Sequence, residues 1–407
     1  MRINFKGFID TTLRDGQSSP LLYDTYKYRF SLAEKKQIVN ALLKLGVRFF
    51  EFYSPVVSEE ERKSFLILKK YIKSLTPEKT YLLAHCRCHP LDIQTALGLG
   101  FDGLNLYMGL SEEAQENYGK SLRQLSDLIG EIVISTRQKN PLLWLRYSGE
   151  DAFRTSLKNL FLVYDRIAQY VDAFGFPDTT GTATPEKVGQ RVRAFKKRYP
   201  KVNLECHFHN DRGLSLINTM AAVKNGAEFI DSSIWGMAER SGITSVTGAL
   251  LNFYEIDKSL VKNFNLQFAY PLNVLMASIL GWQVPWTEPV SLTNRTHIAG
   301  VHQKAVLGHK GYEAHQLEKF GITSQQLLLG PLSGWNFIYY FLKEMENYII
   351  TPEEAKIITA DFKKQTKKLG KKIKPEEILN QLAKSHSLTR TSIPKKFADK
   401  RKENLGI

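Results

Sequence analysis

Residues 201–234, KVNLECHFHNDRGLSLINTMAAVKNGAEFIDSSI, read as one strand–helix–strand unit. Side chains of an extended strand alternate between two faces. Within VNLECHFHN (202–210), Leu204, Cys206 and Phe208 therefore point toward a helix layer, and Glu205, His207 and His209 point the other way. The helical run LSLINTMAAVKNG ends at Gly226, a residue suited to closing a helix. AEFIDSSI (227–234) then supplies the second strand. Strand, helix, strand in this order is the repeat of a parallel α/β domain.

The same alternation runs back to the first residues. Strands are expected at GFID (7–10), VRFFEFYS (47–54), TYLLAHC (80–86), FDGLNLYM (101–108), PLLWLRYS (141–148) and VDAFGF (171–176). Amphipathic helices separate them. SLAEKKQIVNALLKLG sets Leu32, Ile38, Leu42 and Leu45 on one side and stops at Gly46, and TPEKVGQRVRAFKKRYP opens on Thr-Pro and is halted by Pro200. Eight strands alternating with helices over about 250 residues is the count of a (β/α)8 TIM barrel. A doubly wound open sheet is the competing α/β arrangement, but no glycine-rich phosphate fingerprint follows the first strand. The expected organisation is a catalytic barrel over 1–255 and a linker subdomain over 256–315. A small helical C-terminal subdomain over 316–386 and a basic, disordered tail over 387–407 complete it.

Composition narrows the function classes. No apolar stretch approaches the length of a bilayer span, and the first ten residues lack a signal core. With three cysteines, too few for a disulfide framework, the chain is expected to be cytoplasmic. The net charge of +15 is concentrated late: residues 351–407 hold 15 Lys and Arg against 7 Asp and Glu. A basic end of this kind can meet nucleic acid or an acidic cofactor, but no nucleic-acid motif accompanies it. A solvated terminus is the simpler reading.

Barrel enzymes work at the carboxyl ends of their strands. There the seventh strand delivers His207 and His209, two imidazoles at i, i+2 that can share one metal ion. The first strand ends in IDTTLRDG and brings Asp10, Arg14 and Asp15 to the same rim. One carboxylate and two imidazoles leave open positions on a divalent ion for substrate oxygens. Arg14 beside them can clamp a carboxylate or offset oxyanion charge. The third strand adds His85, the fifth Arg146, Ser148 and Glu150, and the sixth Asp178 and Thr179. Arg146 and Ser148 share a face and form a candidate fork for a second carboxylate. The run His85-Cys86-Arg87-Cys88-His89 has the letters of a zinc site, but alternation sets the cysteines opposite the histidines.

DTTLRDG, the later HFHNDRG and then GMAERSG together resemble the DRE-TIM metallolyase superfamily of Claisen-type acyl-CoA condensing barrels. The likeness runs from Phe8 to about His386. Within the superfamily, YSPVVSEEER, AHCRCH, RYSGEDAFR, HIAGVHQKA and LSGWN are similar to segments of homocitrate synthases, with 2-isopropylmalate synthases as near relations. The resemblance implies an acyltransferase that condenses acetyl-CoA with a 2-keto acid, 2-oxoglutarate being the expected one. Isopropylmalate or citramalate synthesis is the alternative within this class. It implies that Asp15, His207 and His209 bind Mg²⁺, Mn²⁺ or Zn²⁺. Arg14 would bind the substrate and stabilise the enolate or alkoxide, Thr179 would help hold the near carboxylate, and His85, Arg146 and Ser148 would hold the far carboxylate of the keto acid. Glu150, His302 and Tyr312 match the acid/base group that handles the acetyl-CoA methyl proton. The last two reach a partner's barrel in the family, so a homodimer is implied. This chain departs from the pattern at Ser18, where glutamine is usual, at Ala238, where glycine is usual, and at the bulky Trp235. Asp15 stands where homocitrate synthases carry glutamate. Ser18 and Ala238 motivate a second kind of reading, a catalytically silent barrel acting as a binding protein.

Overall fold

The computed structural model describes residues 3–309, 311–368 and 374–391, which fall into two compact units dividing between Pro289 and Val290. In the first, eight parallel strands close into a barrel in chain order. They are β1 (Gly7–Asp10), β2 (Phe49–Tyr53), β3 (Tyr81–Arg87), β4 (Gly103–Gly109), β5 (Trp144–Glu150), β6 (Ala173–Asp178), β7 (Asn203–Phe208) and β8 (Phe229–Ser232). β1 pairs with β2 on one side and β8 on the other, which leaves no sheet edge. The expected TIM barrel is therefore the observed fold.

Local chemistry sets the helices between them. Helix Leu32–Leu45 begins with a capping box: Ser31 Oγ accepts from Glu34 N at 3.3 Å while the Glu34 carboxylate accepts from Ser31 N at 2.8 Å. It ends at Gly46, whose φ of 111° is left-handed. A β-carbon at Gly46 would also lie 2.7 Å from the Asn263 carbonyl. Helix Pro185–Arg198 starts on the Thr184 cap with proline in its first turn.

The inward-facing side chains stack in layers, two residues apart along each strand. Ile9, Leu83 and Phe229, with Phe49, Tyr81 and Trp144, make an apolar plug at the amino end. Phe49 and Tyr81 stack there at 4.5 Å. Burying one such ring contributes about 2 kcal/mol. Two residues further along the same strands stand Glu51, His85, Arg146 and Asp231, so the next layer is charged. Above it the strands open onto the mouth.

The barrel unit extends past the expected limit at residue 255. Helix Ala269–Leu280 packs against helix Leu32–Leu45, and Asn265 N donates to Leu45 O at 2.8 Å. The boundary thus falls at Pro289, because 256–289 has its apolar partners on the barrel's outer helices. The second unit has its own core, in which Phe337, Phe341, Ile358, Phe362 and Leu379 are buried. Helices Trp335–Tyr340, Pro352–Lys368 and Pro375–Ser385 supply it, and β9 (Thr296–His297) pairs in parallel with β10 (Gln326–Leu327). Residues 387–391 depart from the expectation of a disordered tail. Ile349 N donates to Thr389 O at 2.9 Å and Tyr348 bridges Arg390, so this stretch is held by backbone pairing. The remainder, from residue 392, lies outside the described residues.

Gly46→Ala tests the helix stop. The added methyl meets both the left-handed backbone and the Asn263 carbonyl, so urea denaturation should register a loss of about 2 kcal/mol.

Candidate active site

The charged layer explains how the rim is held. Arg146 is fully buried, and its guanidinium engages Asp231 Oδ1 at 2.9 Å, Glu205 Oε2 at 3.2 Å and the Glu51 carboxylate. Glu51 also accepts from Arg14 NH2 at 2.8 Å and lies 3.1 Å from His85 Nδ1. Stripping water from such ions costs several kcal/mol each, so they persist only as a mutually paired set. Burial opposes ionisation of Glu51, but Arg146, Arg14 and His85 hold it well below the usual carboxylate range. Glu205 goes the other way, since burial and Asp231 outweigh Arg146.

Arg146 shares a face with Ser148, as alternation required, and its fork engages the protein's own carboxylates at the level of the cavity-lining His85, Asn105 and Asp231.

The other expected rim residues converge on a cavity of about 240 Å³. Arg14, His85, Ser148, Glu150, Thr179, His207 and His209 line it, together with Asn105, Tyr107, Pro177, Glu205 and Asp231. Clefts for drug-sized ligands begin near 300 Å³, so this one suits a small acid. Asp15, His207 and His209 each offer a ligand atom, all within 4.8 Å of one another. His207 Nδ1 lies 3.4 Å from Asp231 Oδ2 while its Nε2 faces Asp15 Oδ2 at 3.6 Å, and Arg14 Nη1 comes within 3.0 Å of the same Asp15 oxygen. His209 Nδ1 is buried without a hydrogen-bond partner, the kind of group that a cation would complete.

Electrostatics prepares the donors. Burial and His207 push His209 down to about 3, which keeps its ring neutral and able to ligate. Burial raises Asp15, but Arg14 and the imidazoles outweigh it and keep the carboxylate ionised. Burial works against the Arg14 cation, yet Asp15, Glu51 and Asp231 keep it charged. His85 is shifted down by burial and Arg14, and its ring stacks on Tyr107 at 4.3 Å. Asn105 Nδ2 lies 2.9 Å from His85 Nδ1, and its Oδ1 accepts from Ser148 Oγ at 2.8 Å. Glu150 is raised by burial and by Asp151.

Several motif residues are braces. Asp10, raised to about 7 by burial, accepts from Thr12 N and Thr12 Oγ1, both at 3.0 Å, and fixes the turn that aims Arg14 and Asp15. Asp178 accepts from Thr182 N at 2.9 Å and Ala183 N at 3.1 Å and does not line the cavity. Arg240 of GMAERSG joins Asp211 of HFHNDRG at 2.7 Å and donates to Thr179 O at 2.7 Å, which locks the backbone of Thr179. The departures are accommodated. Ser18 Oγ bonds the Tyr53 hydroxyl, which reaches across from β2. Ala238 is buried without a positive φ, so its methyl costs no backbone strain, whereas Trp235 does adopt a φ of 59°.

The zinc-like run is dispersed. Cys86 and Cys88 are buried thiols, Cys86 pushed up to about 12 by burial, and His89 caps helix Pro90–Leu99 by accepting from Leu91 N at 3.3 Å. His302 and Tyr312 fall in the second unit, where their rings stack at 3.8 Å. Glu51, Asp231, Asn105 and Tyr107 were not singled out in the sequence. The readable signal for the first two was a carboxylate at an inward position of an apolar strand, in FFEFY and FIDS.

Comparison with known proteins agrees with this geometry. The HMGL-like family model matches residues 6–267, and the homocitrate synthase post-HMGL domain-like model matches 290–369. The mitochondrial homocitrate synthase of Schizosaccharomyces pombe is 32% identical over 369 residues, covering 89% of this chain and 84% of that one. Homocitrate synthase AksA of Methanothermobacter thermautotrophicus is 31% identical over 92% of each chain. A 2-isopropylmalate synthase of Ruminiclostridium cellulolyticum is 28% identical over 87% of this chain and 70% of its own. Among solved structures, an HMG-CoA lyase from Acenitobacter baumannii shares the fold with a TM-score of 0.56 at 20% identity, covering 69% of this chain and 93% of that one. The chain therefore belongs to the HMGL-like family, in its homocitrate synthase group of acyltransferases. No helix among the described residues is long and apolar enough to cross a membrane.

Arg146→Met removes the counter-charge of three buried carboxylates. Chemical denaturation should show a loss of about 3–5 kcal/mol, the cost of breaking a buried ionic set; a loss within experimental error would mean that the layer is not mutually dependent.

Proposed function

We propose that the chain condenses acetyl-CoA with 2-oxoglutarate and releases homocitrate and free CoA after hydrolysis of the thioester. The observation that carries this reading is the buried cluster of Asp15, His207 and His209, whose ligand atoms lie within 4.8 Å of one another beside the Arg14 cation. Homocitrate synthases similar over most of the chain support the choice of substrates.

Each residue has a defined task. Asp15, His207 and His209 hold Mg²⁺, Mn²⁺ or Zn²⁺, which when bound supplies Lewis-acid polarisation of a keto group. Arg14 meets negative charge developing on the carbonyl oxygen, and Thr179 holds the near carboxylate. His85 and Ser148 receive the far end of the acid. The acid/base group comprises Glu150, His302 and Tyr312, the last two brought by a partner chain in a homodimer. It takes a proton from the acetyl methyl, the methyl carbon attacks the keto carbon as the carbonyl π pair moves onto oxygen, the alkoxide takes up a proton to become the tertiary alcohol, and water then cleaves the thioester to a carboxylate and the CoA thiol. Proton transfer by a positioned group is worth roughly a hundredfold or more in rate.

A second reading, a branched or small keto acid as acceptor, is favoured by two features of the far wall. Arg146 reaches a far carboxylate only by releasing one of its own partners, and burial and Arg14 together hold His85 toward its neutral form. A thiol-release assay with acetyl-CoA decides between them. Turnover with 2-oxoglutarate above pyruvate and 2-oxoisovalerate is the expected result, and preference for a monocarboxylic acid selects the second reading. Failure of every keto acid to release CoA, with each of the three metals, overturns both.

The raised affinity of Glu150 for its proton has a sign. Its base form fills in only at a higher pH than that of an exposed glutamate, so kcat/KM should fall as pH drops through that raised value. Glu150→Gln should lower the rate about a hundredfold and remove this acidic limb from the pH profile.

A further inference from the structure

Tyr312 occupies an uncomfortable position. Its φ is 66°, left-handed, and a bulky side chain there costs about 1–2 kcal/mol. Its ring is 59% exposed, so burial does not repay that strain. Even so, the ring lies flat on the His302 imidazole, 3.8 Å between centroids and 11° between planes. Strained conformations persist where their surroundings over-determine them.

The neighbouring residue supplies the constraint. Glu313 Oε2 accepts from Arg295 NH2 at 2.8 Å, Arg295 Nε at 3.1 Å and Gln325 Nε2 at 2.8 Å, and Oε1 lies 3.1 Å from His297 Nε2. Arg295 and His297 are themselves buried, and Arg295 NH1 donates to Ile322 O at 2.8 Å. These donors stand on the two segments of the β9–β10 pair, since His297 belongs to β9 and Gln325 directly precedes β10. One carboxylate is thus bolted to a rigid frame from both sides, and the residue it fixes is joined by a single peptide bond to the strained Tyr312. Charge-assisted and bidentate bonds of this type are the strong ones.

We propose that Glu313 is a positioning residue: it holds the turn that keeps Tyr312 stacked on His302 and so presents the two as one acid/base unit. This rests on the acid/base role given above to His302 and Tyr312. Glu313 touches neither substrate in this proposal and acts only through the tyrosine. Replacing it with glutamine keeps the shape but withdraws the charge that holds the arginine fork, so the turn is free to relax from its left-handed backbone.

A double-mutant cycle on the full chain tests the catalytic part. Glu313→Gln should lower kcat about tenfold while the KM for the keto acid stays as in the parent chain. In a Tyr312→Phe background the same change should cost little more, because the residue it positions is already disabled. An additive loss, or an unchanged kcat for Glu313→Gln alone, overturns the proposal. NMR of chain labelled at histidine Cε1 reads the packing without any turnover. The His302 proton should lose the ring-current shift imposed by Tyr312 in Glu313→Gln, and lose part of it in Gln325→Ala, which removes one bond without touching charge. A shift unchanged in both variants rules out the positioning role. A shift lost in both, in a chain that condenses no keto acid, would leave the positioning intact and reject only the assigned chemistry.

Discussion

Glu51 is bound at once by Arg14 and by Arg146, and the working end of the barrel depends on that shared carboxylate. Arg146 is anchored to three strands through Glu51, Glu205 and Asp231. Arg14 is thereby fixed at the rim with Asp15 beside it at 3.0 Å. The position of the candidate ion, the field on the substrate carbonyl and the state of the neighbouring imidazoles all follow from how this layer is wired. The apolar plug beneath stabilises the barrel without directing anything. The charged layer costs solvation, and it returns a rim whose groups are already oriented before a substrate arrives.

Much of this was legible in the sequence because a strand repeats every two residues. All eight strands lie where the alternation put them, and the same rule sent Glu205, His207 and His209 inward and Cys206 outward. Partners were not legible. Alternation fixes the face of Arg146 but says nothing of what its fork meets there, and the fork proved to be taken up by Glu51, Glu205 and Asp231 from across the barrel. Glu51 and Asp231 were passed over because each is a lone charge inside an apolar run, which reads as noise until strands from across the barrel are brought together. Strand starts were drawn early for a related reason. Leu142 continues the apolar pattern of PLLWLRYS, yet it is 100% exposed and β5 begins at Trp144.

The second unit was read less well by periodicity and better by resemblance. Nothing in the spacing of 256–289 says that it packs on the barrel's outer helices, since that depends on the partner surface of helix Leu32–Leu45. His302 and Tyr312 entered through the family's motifs alone. Their stacking adds a physical fact that neither motif carries, and the bonds to Glu313 give that stacking a cause. The departures at Ser18 and Ala238 had suggested a silent barrel. In the structure Ser18 is bonded to the Tyr53 hydroxyl and Ala238 stands on an unstrained backbone, so both departures are accommodated at the rim.

The central claim is that Asp15, His207 and His209 hold one divalent ion on which the chemistry depends. The most direct measurement is a Mn²⁺ titration followed by electron paramagnetic resonance, run on the parent chain and on His207→Ala. One ion bound per chain is expected in the parent, and its loss in the variant. Equal binding by both chains, or no stoichiometric binding by the parent, would contradict it.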